Sequence, residues 1–233
     1  MLKNKTVFFK DLGLIDYKKC WDYQESIFSK ILQTKSLNKH NQKKTPTENH
    51  VFFCEHPHVY TLGKNGDENN LLVNSEYLKK CGADFYKINR GGDITYHGPG
   101  QIVCYPVLDL ENFFLDIHKY LRSLEEVVIL TLKEYNLIGE RSKGETGVWF
   151  DVGGKKARKI CALGVKNSRW VTMHGLAFNV STDLSYFENI IPCGIANKSV
   201  TSLEKELGEK VNINDVKEKI KLHFLDVFEM KTK

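Results

Sequence analysis

Three stretches of the 233-residue chain pair reactive side chains with backbone unusual enough to expose them. Cys193 sits in Ile191-Pro192-Cys193-Gly194, where a proline removes a backbone donor and a glycine permits unusual angles. That context places Cys193 in a tight loop, unusual for a core thiol, and makes it the first choice if one of the thiols is a nucleophile. A free thiol is only a few per cent thiolate near neutrality, so a neighbouring cation or base could raise that fraction roughly tenfold. Candidates are His97, His174 and the run Lys155-Lys156-Ala157-Arg158-Lys159. Lys159 differs from its neighbours because it immediately precedes a strand-like run, Ile160 to Val165, which would hold it at the end of an ordered element. Spacing alone does not bring any of them to Cys193.

The second stretch is Arg90-Gly91-Gly92-Asp93-Ile94-Thr95-Tyr96-His97-Gly98-Pro99-Gly100-Gln101. Its glycines let backbone N–H groups face a bound carbonyl or anion, and Arg90 and His97 add donors at either end. A bulged hairpin with polar surface residues has the same composition. Neither GxxxxGK[ST] nor GxGxxG is present, so nucleotide-phosphate binding loses its best argument. The third stretch, Cys54-Glu55-His56-Pro57-His58, spaces Cys54, His56 and His58 at period two, as metal ligands on one strand face would be. Pro57 interrupts that strand and no further ligand follows nearby, so no metal is expected.

The elements that must position these residues follow from periodicity. Asp16 to Lys35 reads as an amphipathic helix, and 36–50, with Pro46 and a single strongly apolar residue, as a surface loop. Val51 to Cys54, Val59 to Leu62 and Asp84 to Ile88 are predicted strands, with a short helix Asn74 to Cys81 closed by Gly82. The glycine-rich stretch then lies between Asp84–Ile88 and the strand Ile102 to Leu108, at a sheet edge. Ile117 to Tyr135 is a second long helix, and Val148 to Phe150, Ile160 to Val165 and Trp170 to Val180 are strands suited to antiparallel hairpins. Thr201-Ser202-Leu203-Glu204 has capping-box spacing for a helix that Gly208 ends, and 209–233 is a helical tail starting near Asn214 as N-cap. The fold class is α/β (α+β): a single domain over 1–233, with a mixed sheet and flanking helices.

Composition narrows the partners. A charge of +5, from 34 basic and 29 acidic residues, permits an acidic partner, but no basic run interleaved with aromatics marks nucleic acid. The longest purely apolar run, Val127 to Leu130, is far short of the roughly 20 residues a membrane span needs. Met1 to Lys10 lacks the apolar stretch of a secretory signal, so a cytoplasmic location is expected. The six cysteines lie at least 23 positions apart with no CxxC pair, and most should be packed, reduced thiols.

Taken together, these motifs resemble those of the lipoyl(octanoyl) transferases. The segment Arg90 to Gln101 is similar to that family's signature loop, and Glu55-His56-Pro57, Tyr60 to Gly63, Lys159 to Val165, His174 to Asn179 and Pro192 to Gly194 resemble its other motifs, in its order. The resemblance covers about residues 50–205 and departs locally at Cys161, where alanine is commoner, and Phe178, where leucine is commoner. It implies an acyltransferase that moves an octanoyl (or lipoyl) group from acyl carrier protein to a lysine of a lipoyl domain through a cysteine thioester. In this sequence Cys193 matches the acyl-thioester cysteine and Lys159 the lysine that lowers its pKa. Substrate contacts are implied for Arg90, Gly91, Gly92, Asp93, Ile94, Thr95, Tyr96 and His97, for Ala162, Leu163 and Gly164, and for Gly175, Leu176 and Ala177. Also implied are the fold of biotin and lipoate ligases, a monomer, and no cofactor beyond the phosphopantetheine that carries the octanoyl group. The acceptors implied are lipoyl domains of 2-oxoacid dehydrogenase E2 subunits and the glycine cleavage H protein. Two other readings stay open: an ATP-dependent ligase of the same fold, and a non-catalytic module that binds lipoyl domains.

Overall fold

The computed structural model describes residues 3–42, 44–191 and 199–233. Its frame is a large mixed sheet. Strand β1 (Thr6–Leu14) runs parallel to β2 (Asn49–Glu55), and then β6 (Gln101–Val107), β10 (Val171–Asn179), β9 (Arg158–Ser168), β8 (Val148–Phe150) and β7 (Glu140–Arg141) follow in antiparallel succession. A smaller sheet places β3 (Val59–Leu62) between β4 (Asp84–Lys87) and β5 (Ile94–His97), and the short helix α2 (Ser75–Lys80) precedes β4. The glycine-rich stretch thus includes the edge strand β5, and β5 enters the large sheet through the Gly98–Gly100 turn.

Helices cover both faces. On one, α3 (Ile117–Lys133) and α5 (Ile213–Val227) bury Tyr120, Leu124, Val127, Val128, Ile220 and Phe224 against Ile102, Cys104, Cys161 and Phe178. On the other, α1 (Tyr17–His40) lays Cys20, Phe28 and Ile31 over Phe52, Val103, Tyr105 and Met173. The expected loop over 36–50 is shorter than its composition suggests. Helix α1 continues five residues past Lys35, because Lys39 and His40 complement the negative end of the helix dipole and Asn38 is buried. The Asn38 side chain donates to Thr45 O (2.7 Å) and accepts from Thr45 N (2.8 Å), folding the following segment back onto the helix. At its far end Asn49 and His50 already belong to β2.

Two further boundaries move. The N-cap of α4 (Leu203–Leu207) is Ser202, whose hydroxyl accepts from Lys205 N. Thr201 is held in an extended position, its N–H donating to Lys159 O (2.9 Å) and its carbonyl accepting from Asn179 Nδ2 (3.0 Å), so the expected capping box does not form. Gly208 ends α4 in the left-handed region, φ 74°. Asn212, two residues before the expected Asn214, caps α5. The tail is not purely helical: β12 (Lys231–Thr232) returns to pair with β1 and closes that edge of the large sheet. No helix among the described residues is long and apolar enough to cross a membrane.

Candidate active site

A cavity of about 360 Å³ opens where the small sheet meets the α1-facing side of the large one. Its floor exists because side chains are withheld. Across the β9–β10 ladder Ala162 faces Ala177 and Gly164 faces Gly175, two small pairs in adjacent positions on one face. Neither glycine could carry a Cβ without displacing neighbours. At Gly164 it would lie 2.9 Å from Arg90 Cδ and from Gly91 O, and at Gly175 2.1 Å from Cys104 O. Val103, Tyr105 and Tyr17 close the deep end, and Lys159, Thr146 and Glu145 stand on the wall.

His174 bends the floor. It sits inside β10 with φ 60°, a conformation that costs a non-glycine residue about 1–2 kcal/mol. Two partners hold it there: its N–H donates to Gln24 Oε1 of α1 (3.2 Å), and its ring Nε2 meets Asn89 Oδ1 (3.1 Å). Sequence reasoning missed Gln24; the signal that could have found it is a polar residue interrupting the otherwise apolar stripe Tyr17-Cys20-Phe28-Ile31.

The signature loop is wired to both sheets. Arg90, 7% exposed, donates through Nη2 to Thr61 O (2.7 Å) and Thr61 Oγ1 (3.0 Å), and through Nη1 to Gly91 O (3.1 Å). Gly91 N donates to Val165 O (2.9 Å), stitching the loop to β9. Gln101 Nε2 donates to Tyr96 O (3.2 Å), which fixes its amide orientation and turns Oε1 toward His97. His97 Nδ1 must therefore carry the proton it shares with Gln101 Oε1 (2.7 Å), leaving Nε2 as an acceptor facing Thr61 Oγ1 (3.4 Å). These atoms of Arg90 and His97 brace the loop.

Of the candidate activators of the thiol, both histidines are held neutral. Burial pulls His97 down to about 3, with the charges of His56 and Arg90 adding to it, and pulls His174 down to about 3, aided by Arg90. Lys159 lies inside β9 rather than before a strand. It is flanked by Trp149 of β8 and, on the parallel strand β11 (Ser199–Val200), by Val200. Its Nζ stands 4.5 Å from the Trp149 ring centroid, and its side chain lines the cavity. Lys155 and Lys156 are exposed in the turn that precedes it.

Arg90, Gly92, Asp93, Ile94, Thr95, His97, Ala162, Leu163, Gly164, Gly175, Leu176 and Ala177 all line the cavity. Gly91 lies behind the wall, and Tyr96 points to the opposite face of β5, where it stacks on Tyr186 and is fully buried. Cys193 lies outside the described residues. The described chain on either side of it reaches the cavity through Phe187 upstream and Val200 downstream. The upstream side is pinned by Ile191 N donating to Asn70 O (2.8 Å). Tyr17, Val103, Tyr105 and 144–146 were not foreseen at the site, since nothing local in the sequence brings them there.

Comparison with known proteins agrees with this geometry. Residues 16–225 match the lipoyl protein ligase A/B catalytic domain, a span that adds α1 and most of α5 to the region of motif resemblance. The chain is 64% identical to an octanoyltransferase of Flavobacterium psychrophilum over 97% of its length and 98% of that protein's. It is 62% identical to an octanoyltransferase of Christiangramia forsetii, over 99% of each. Among solved structures, a lipoate-protein ligase A bound with ATP superposes with a TM-score of 0.68 at 15% identity, covering 99% of this chain and 87% of that one. The lipoate protein ligase of Thermoplasma acidophilum gives 0.67 at 17%, covering 99% and 86%. With motifs, cavity and whole-length similarity in agreement, the chain belongs to the lipoyl protein ligase A/B catalytic domain family.

Proposed function

We propose that this chain is an octanoyltransferase of protein lipoylation, working in the cytoplasm with a transfer reaction that needs neither ATP nor metal. It takes the acyl group from octanoyl-acyl carrier protein and passes it to a lysine of the lipoyl domains of 2-oxoacid dehydrogenase E2 subunits and the glycine cleavage H protein. The observation that carries this reading is the cavity itself. It is of ligand size, floored by small residues, with a lysine on its wall and with both described flanks of the Cys193 segment on its rim.

In the first half-reaction the Cys193 thiolate attacks the donor thioester carbonyl. The tetrahedral intermediate expels the phosphopantetheine thiolate, and one thioester replaces another, so this step is nearly balanced in energy. In the second, the acceptor lysine amine attacks the acyl-enzyme and an amide forms, which is downhill. Lys159 takes the thiol proton, returns it to the departing thiolate, and later accepts a proton from the attacking amine. Strand geometry favours one oxyanion donor. A residue's N–H and C=O point to the same strand edge, and Val165 O points outward to Gly91 N. Leu163, two residues earlier, therefore turns its N–H to that same edge, beyond the point where β8 pairing stops at Cys161. Such a donor is worth about 3–4 kcal/mol in the transition state.

Intact mass of the chain after mixing with octanoyl-acyl carrier protein tests the reading. One octanoyl adduct should appear on the Cys193 peptide and vanish in Cys193→Ser. An undiminished adduct in that variant, or adenylation of free octanoate with ATP instead of adduct formation, would overturn it.

A further inference from the structure

The sequence aligns Cys54, His56 and His58 at period two, but the fold separates them. Pro57 turns the chain after β2, and His58 goes to the small sheet, where its ring stacks on Tyr186 at 4.2 Å and its Nδ1 meets Tyr96 OH at 2.7 Å. Helix α1 supplies a replacement from 34 residues upstream. Cys20 Sγ, Cys54 Sγ and a ring nitrogen of His56 all lie within 4.8 Å of one another, and all three residues are fully buried.

The cluster has the donor atoms of a soft-metal site and the orientation to use them. His56 Nδ1 is 2.7 Å from the carbonyl of Ile15, which can only accept, so Nδ1 carries the hydrogen. The lone pair is left on Nε2, directed inward at Cys54 Sγ (3.5 Å) and Tyr105 OH (2.8 Å). A carbonyl on the outer nitrogen is the usual brace of a metal-binding histidine. With metal bonds of about 2.3 Å to sulfur and about 2.0–2.1 Å to nitrogen, tetrahedral ligation separates the two donors by about 3.5 Å, as here. Charge narrows the ion. Two thiolates and a neutral imidazole balance a divalent cation, and a neutral complex avoids burying an unpaired charge. Hard cations that prefer oxygen are disfavoured.

We propose that Cys20, Cys54 and His56 form a binding site for a divalent thiophilic cation of the zinc class. Binding releases the two thiol protons to solvent and involves no redox change. The Tyr105 hydroxyl, 2.8 Å from His56 Nε2, is positioned to serve as a fourth donor. Tyr17, His97 and Tyr105 line the cavity and pack against the His56 ring at 5.1, 5.9 and 5.9 Å, so entry from the cavity requires these side chains to move. None of the three ligands lines the cavity itself, whereas the neighbouring Tyr105 does.

Cobalt(II) and zinc(II) titration of the full-length, metal-free chain tests this. Wild type should bind one equivalent and, with cobalt, show the visible bands and thiolate charge transfer of a tetrahedral site. Cys20→Ala and Cys54→Ala should each weaken binding by more than the roughly 10–100-fold that loss of an outer-sphere partner costs. Cys81→Ala and Cys193→Ser should leave it unchanged. Should the buried variants fail to fold, X-ray absorption of the zinc-loaded wild type decides: two sulfur and at least one imidazole ligand support the site. No stoichiometric uptake, full binding in Cys20→Ala or Cys54→Ala, loss of binding in Cys193→Ser, or fewer than two sulfur ligands would overturn it.

Discussion

The two faces of the β6–β10–β9 strands differ by the residues placed on alternating positions. Ile102, Cys104, Cys161 and Phe178 fill one face and pack against the residues of α3 and α5. Ala162, Gly164, Gly175 and Ala177 occupy the other, and the space they vacate becomes the cavity. Helix α1 covers that second face only along its lower part, over Phe52, Val103, Tyr105 and Met173. The same strands thus pack the core on one side and wall the cavity on the other. What separates the roles is side-chain volume, since backbone pairing is shared.

Substitutions one residue apart should part these roles most sharply. Ala177→Leu fills the cavity and should lower octanoyl transfer by more than about 100-fold while the thermal midpoint shifts by only a few degrees. Phe178→Ala, its neighbour on the packed face, should cost about 3–5 kcal/mol in denaturant unfolding and leave turnover per folded molecule close to wild type. Equal effects on both quantities from either change would dissolve the distinction.

The cavity side also carries the acid-sensitive groups. Burial lowers His56 to about 4 and His97 and His174 to about 3, so each is neutral in the folded chain and binds protons more readily when unfolded. Their contribution is fully present above the unfolded value near 6.5 and declines as pH falls toward the folded values. Each histidine contributes a slope of up to about 1.4 kcal/mol per pH unit in that window, which unfolding at pH 4 to 7 would measure. Between pH 7 and 8 these three should leave stability flat.

Smaller effects probe the wall. Gly164→Ala pushes a methyl to 2.9 Å from Arg90 Cδ and Gly91 O, and should cost about 1–3 kcal/mol while raising the KM for the acyl donor. Lys159→Ala should lower iodoacetamide reactivity of Cys193 at neutral pH by roughly tenfold. Unchanged reactivity would remove Lys159 as its activator.

Much of this organisation is legible locally. The helix stripes of α1 and α3, the runs that become β3 and β8, the Gly82 and Gly208 stops and the glycine-rich loop all follow from spacing and residue type, because periodicity records which side of an element is buried. The element ends were less legible. Nothing local to 36–40 announces that Asn38 is bonded to Thr45, or that Thr201 is drawn away from the cap by Lys159 and Asn179.

The sequence by itself determined the family, the reactive residue types it carries, and the small residues that leave room for the cavity. Tertiary structure decided which groups meet. It put Gln24 under His174, oriented His97 as an acceptor, and exchanged His58 for Cys20 beside Cys54 and His56. The physical reason is that sequence patterns encode which faces are buried, whereas partners are chosen by the packing of elements far apart in the chain. A cysteine on a helix and another on a strand carry no mark of each other until α1 is laid across β2 and β6.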